Sequence, residues 1–206
     1  MRKNKLQHVT TDKLVSDIRS IIEQGRQQAY AAANQIAILT YWHIGRRIVE
    51  EEQHGEARAQ YGTRLIKTLA EQLMPKYGST FSKRNLDYFR QFYLCFNDLE
   101  IVNTCVHNLT WSHFRSIIQV ADPKAREWYV KEASEQMWSV RTLNRNIGTQ
   151  YYGRRMACVK EGLALPSPDI EANDPLEYIK SPVVAEFLGF RKDSKYDESQ
   201  LEQALI

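Results

Sequence analysis

The chain is poor in the residues that interrupt helices. It has 9 Gly and 6 Pro among 206 residues, while Ala, Gln, Leu, Arg and Glu are plentiful. That balance predicts an all-α protein. Cysteine is scarce too: Cys95, Cys105 and Cys158 form an odd set with no C-x-x-C spacing, which excludes a disulfide framework and suits a reducing compartment. No run approaches the ~18 apolar residues of a membrane span, and Met1-Arg2-Lys3-Asn4-Lys5 leads into no apolar signal region. A cytoplasmic protein with no membrane partner is expected. Hydrophobic residues make up 43% and aromatic residues 11%, enough to exclude disorder as a description of the whole.

Charge is unevenly spread. Residues 161–206 hold 4 basic and 10 acidic residues, leaving 24 of the 28 basic and 15 of the 25 acidic residues to the first 160. A basic body with an acidic end suggests a polyanion-binding part joined to something different. Two stretches are sharper than the totals. Residues 141–160 carry Arg141, Arg145, Arg154, Arg155 and Lys160 with no acid, and residues 76–90 carry Lys76, Lys83, Arg84 and Arg90 against Asp87 alone.

Apolar spacing and capping residues place the helices. Asp12 caps a stripe of Leu14, Ile18 and Ile21 that resumes at Ala29, Ala32, Ile36, Leu39 and Ile48, so one long helix or two stacked ones reach about Glu52. Gly25 is the expected break or close-contact point. A helix from about Thr63 carries Leu65, Ile66, Leu69 and Leu73, and Pro75 to Ser79 reads as a turn. Ser82 caps a helix with Leu86, Phe89, Phe92 and Tyr93 on one face. A short helix opens near Asn108 to Ser112. Asp122-Pro123 starts another that runs to Met137, and Ser139 caps one with Val140, Leu143 and Ile147 inward. Leu165 to Asp169 is a linker by composition, a short helix fits Pro182 to Leu188, and Asp197 to Ile206 begins an amphipathic helix that reads as cut short.

Thr63 to Phe96 thus reads as helix, turn, helix with a basic start to the second helix. In a helix-turn-helix those residues enter the major groove. Lys83, Arg84 and Asn85 would sit there, with Arg90 about two turns on. Arg pairs bidentately with guanine and Asn with adenine, while Lys serves phosphate equally well. A connection of about seven residues exceeds the tight motif and favours a winged-helix-like variant. Two packed bundle helices with solvated cations remain the alternative. Arg141, Arg145, Arg154 and Arg155, interleaved with Tyr151 and Tyr152, would hold phosphates with strong salt dependence, the tyrosines supporting stacking. A solvated face opposite a core stripe is again the alternative.

Other constellations carry no chemistry. Cys105, His107 and His113 lack zinc-site spacing. Pro168-Asp169-Ile170-Glu171 has Asn173 where a nuclease lysine would stand. Asn108-Leu109-Thr110 is a glycosylation sequon only in a secreted protein. His43 falls near an apolar stripe and reads as packed or partner-facing.

Four blocks resemble the YhcG-type family. They are Tyr77-Gly78-Ser79-Thr80-Phe81-Ser82-Lys83-Arg84-Asn85-Leu86 running on to Arg90-Gln91-Phe92-Tyr93; Leu109-Thr110-Trp111-Ser112-His113; Ala125-Arg126-Glu127-Trp128-Tyr129; and Trp138-Ser139-Val140-Arg141-Thr142-Leu143 with Ile147. The resemblance implies a helical N-terminal domain over residues 10–155, a linker with a short helix over 156–195, and the first helix of an α/β PD-(D/E)XK nuclease domain at 196–206. Asp174 to Glu177 and Phe187 to Gly189 resemble the joint, and Glu202 alone matches an active-site acid. The strands bearing the other acids and the lysine have no counterpart here. A divalent metal is therefore expected for that nuclease domain and no cofactor for this chain, which is expected not to be an enzyme by itself. Its expected role is to bind duplex DNA for the nuclease. The alternative is protein interaction or homodimerisation through the long first helices, with Ala29 to Ile48 and the Trp42/His43 patch against a partner.

Overall fold

A computed structural model describes residues 2–54, 58–164 and 168. The linker at 165–167 and 169, the short helix at 182–188 and the nuclease-like helix at 196–206 lie outside the described residues. Among those described, the chain forms eight α-helices and one 3₁₀ turn, with no strand. The expectation of an all-α domain holds there, and a β-wing has no counterpart among the described residues.

α1, Arg2–His54, is one continuous helix of 53 residues, about 80 Å at 1.5 Å per residue. Gly25 does not break it, and nothing lies within 4 Å of where its Cβ would be. The close approach falls instead at Gly45, where an added Cβ would stand 2.0 Å from the Phe89 carbonyl oxygen. α3, Lys83–Cys95, crosses α1 at that point, and these two helices form the most extensive helix pair among the described elements. Only a residue without a Cβ lets the two backbones come so close.

α2, Arg58–Tyr77, runs through Pro75, so the turn expected from Pro75 starts later. Gly78 makes it, with φ 90, and its N–H donates to the Met74 carbonyl at 3.0 Å. The 3₁₀ turn Ser79–Phe81 follows, and Ser82 takes the extended N-cap conformation without a side-chain capping bond. Leu86, Phe89 and Phe92 recur every three residues and are fully buried.

α4, Leu99–Cys105, is started by Asp98, which accepts from the Glu100 N–H. α5 is Trp111–Ile117. α6, Pro123–Glu135, has Asp122 accepting from the Lys124 N–H and Pro123 at its first position. α7, Val140–Gly148, has Ser139 accepting from the Thr142 N–H. α8, Tyr151–Glu161, ends at Gly162 with φ 67, so helix continues past residue 155.

Two aromatic clusters form the core. In the first, Trp111 meets Tyr41, Phe89 and Phe92 at centroid distances of 5.1, 5.2 and 5.4 Å, and Tyr41 stacks on Phe89 at 4.3 Å. In the second, Trp128, Trp138 and Tyr151 lie 5.7 to 6.2 Å apart. Such ring pairs add to the area they bury. Hydrogen bonds from α1 fix it on the bundle: Trp42 Nε1 donates to the Phe96 carbonyl at 2.6 Å and Asn34 Nδ2 to the Leu109 carbonyl at 3.0 Å. Trp42 and the inward alanines Ala33 and Ala37 are therefore buried in this chain's own core. Of the patch expected to meet a partner, His43 and Ile36 stay exposed.

Candidate nucleic-acid interface

The basic start of α3 leads into a groove. Lys83 and Arg84 are exposed in its first turn. One turn on, at the i+4 spacing that puts side chains on one face, Tyr88 accepts from Arg84 Nε at 3.1 Å. The Arg84 guanidinium lies 5.6 Å from the centre of the Tyr88 ring, and Arg115 of α5 lies 5.1 Å from the same ring. Cations over an aromatic face are held by its quadrupole. Two guanidiniums that would repel are thus both held against one tyrosine.

Tyr88 and Arg115 line an open groove of about 460 Å³ together with Ser112 and Ser116 of α5, Gln119 just beyond it, and Val140, Asn144 and Ile147 of α7. The inward reading of α7 holds for Leu143 and in part for Ile147, which packs against the core, and not for Val140. Val140 and Ile147 are half-buried groove walls, while the fully inward face is Thr142, Leu143 and Asn146. Arg141 and Arg145 are exposed on α7, about 100° round the helix from Val140 and Asn144. Of these cations Arg115 lines the groove itself, among hydroxyls and amides; Arg84 contacts its Tyr88 wall, and Arg141 and Arg145 stand on the exposed face of α7, the helix that forms its other wall. Arg115 is the member missed in the sequence. Its signal was the one-turn spacing from Trp111, which puts it beside the aromatic face.

The remaining candidates sit elsewhere. Arg90 Nε donates to a Glu52 carboxylate oxygen at 2.6 Å, an ion pair in which Glu52 is mostly buried; it ties α3 to α1. Asn85 Nδ2 donates to the Ser79 carbonyl at 3.4 Å and so braces the turn before its own helix. Arg154 donates to Thr149 Oγ1 at 3.2 Å, and Arg155 lies 5.8 Å over Trp128; neither lines the groove. Tyr151, expected to support stacking, is fully buried against Trp138 and is out of reach of a base. Tyr152 is half-buried and packs on Trp128.

A second groove, of about 470 Å³ between α4 and α6, has the opposite character. Asp98, Glu100, Glu127 and Glu135 surround Ile101 and Val130, which disfavours a polyanion. His113, which lacks zinc-site spacing, is a buried structural group. Its Nδ1 accepts from the Thr110 N–H at 3.0 Å and its Nε2 donates to the Trp138 carbonyl at 2.8 Å. Burial holds its pKa down to about 4, partly offset by the Trp138 carbonyl. Desolvation raises the Cys105 thiol in the same way. Among the described residues no group of three or more His, Cys, Asp or Glu side chains is arranged to hold a metal ion. No helix among them is long and apolar enough to cross a membrane.

Among the described residues, fold and groove define a helical module with a cleft that Tyr88 and Arg115 line. The chain belongs to the family described as DUF1016 N-terminal domain, whose model matches residues 17–154. It is 35% identical over 217 residues to the Escherichia coli (strain K12) protein named "Putative nuclease YhcG", a match that takes in 90% of this chain and 57% of that protein. The resemblance to YhcG-type proteins is thereby confirmed. No solved structure matches the chain.

Proposed function

We propose that this chain is the non-catalytic DNA-binding module of a nuclease-family protein, and that the cleft between α3, α5 and α7 receives the phosphate backbone. The carrying observation is Tyr88 with the guanidiniums of Arg84 and Arg115 beside it, at the edge of a groove whose other wall is the helix bearing Arg141 and Arg145. The relative named a nuclease supports the setting, and this chain spans 57% of its length. Lys83, Arg84, Arg115, Arg141 and Arg145 are the working cations of this reading. Arg90 and Asn85 position α3, and Arg154 and Arg155 are peripheral.

The test is an anisotropy titration with labelled duplex and single-stranded DNA at ~50 and ~200 mM salt. About five phosphate contacts should cost several hundred-fold in affinity across that range. The pair Arg84→Glu and Arg115→Glu should abolish binding with the circular dichroism spectrum unchanged. Absence of binding at the lower salt, or full binding by the double variant, refutes the reading.

A further inference from the structure

α1 has a second apolar face that the bundle does not use. Val15, Ile18, Ile22, Gly25, Ala29 and Ala32, closing at Ile36, follow one another at alternating intervals of three and four residues. That is the spacing of a helix–helix seam. Val15, Ile18, Ile22 and Ile36 are 42%, 46%, 46% and 57% exposed, and a Cβ on Gly25 would meet nothing within 4 Å. Of the buried residues of the same helix, Asn34, Ile38 and Tyr41 lie on roughly the opposite side at 3.6 residues per turn, with Ala33 and Ala37 on the flank between. Beyond Ile36 the outer face turns polar, at Thr40, His43 and Arg47.

We infer that this seam pairs with the same seam of a second copy, antiparallel, about a two-fold axis between residues 23 and 24. The sizes of the side chains specify the arrangement. In that register Ile22 faces Gly25 of the second copy, Ile18 faces Ala29, Val15 faces Ala32 and Ile36 faces Thr11. Every layer then joins a branched side chain to a smaller one, and the axes keep one close separation throughout. A parallel pair would set Ile22 on Ile22 and Gly25 on Gly25, wide in one layer and void in the next. Each bundle lies on the far side of its own α1, so the two bodies do not compete for the seam.

No charged side chain stands on the seam. At its edge Arg19 meets Arg26 of the second copy, and Glu23, which pairs with Arg26 at 3.3 Å, sits within one turn of both arginines of its own helix. Residues 11–36 give a contact about 39 Å long and about 10 Å wide, so roughly 800 Å² is buried in total. That is below the standard interface and fits a weak, reversible dimer. This pairing does not rest on nucleic-acid binding, since no seam residue lines the α3–α5–α7 groove.

Sedimentation of the 206-residue chain from ~1 to ~200 µM should show a monomer–dimer equilibrium in the weak class, little affected by the salt that dissociates DNA. Ile22→Asp, on an exposed position, should leave the circular dichroism spectrum intact and the chain monomeric. Register is read by disulfide cross-linking above the background that the native cysteines give. Ile22→Cys, close to the two-fold axis, should cross-link, and Ile36→Cys, far from its copy, should not. A wild-type chain monomeric at ~200 µM, a dimer that survives Ile22→Asp, or cross-linking at position 36 each overturns the inference.

Discussion

The two ends of α1 are one helix with one kind of apolar spacing and opposite fates. Toward the C-terminus, Ile38, Tyr41 and Ile48 are enclosed by α3 and its neighbours; toward the N-terminus, Leu14, Ile18 and Ile21 stand in solvent. The difference teaches that periodicity reports a face requiring cover and leaves the cover unspecified. In the inner half the cover is intramolecular because Gly45 lets α3 approach. In the outer half no part of the described bundle reaches.

That contrast is sharpest at the two glycines. Gly45→Ala drives a methyl group against the Phe89 backbone carbonyl and should destabilise by about 3 kcal/mol or more, measured as a shift in urea midpoint. A loss under about 1 kcal/mol would mean that the crossing is looser than described.

Acid should loosen the bundle while leaving the outer half of α1 helical. His113 takes a proton near pH 6.5 when unfolded and only near pH 4 when folded. Between those values the unfolded chain binds the extra proton, so stability is complete above about pH 6.5 and is lost as pH falls toward 4. The loss approaches about 3 kcal/mol. Unfolding curves at pH 7.0 and 4.5 should show it, and His113→Gln should flatten the dependence. An equally steep fall in that variant would assign the effect to other groups.

The smallest effect has the opposite sign. Gly25→Ala, in open space on the same helix, should stabilise by about 0.5–1 kcal/mol through helix propensity and a less flexible unfolded chain. Destabilisation there would show that the outer face of α1 is covered in solution. The measurement belongs at low protein concentration, where self-pairing is negligible.

What could be read from the sequence was local chemistry. Asp122-Pro123 and Ser139 start α6 and α7 as expected, because a cap is made within three residues of itself. Leu86, Phe89 and Phe92 declare the inner face of α3 by spacing alone. α4 escaped although Asp98 caps it. α8 was read as a basic run because Tyr151 and its arginines are adjacent in sequence, although the ring is buried and the cations are not fully so. The four family blocks were legible as a pattern, and the family match at residues 17–154 agrees with them.

The tertiary structure decided the roles of residues that local chemistry leaves equivalent. Gly25 and Gly45 differ only in whether another helix crosses. Arg84 and Arg90 differ only in that Glu52, 38 positions away, lies beside the second. Arg115 joins Arg84 because α5 happens to pack where Tyr88 emerges from α3. The sequence by itself determined that the described chain is helical and where most helices begin, since hydrogen bonding and capping act within a turn. Which face is core, which is groove and which stays exposed was decided by packing, because burial belongs to the neighbours and not to the residue.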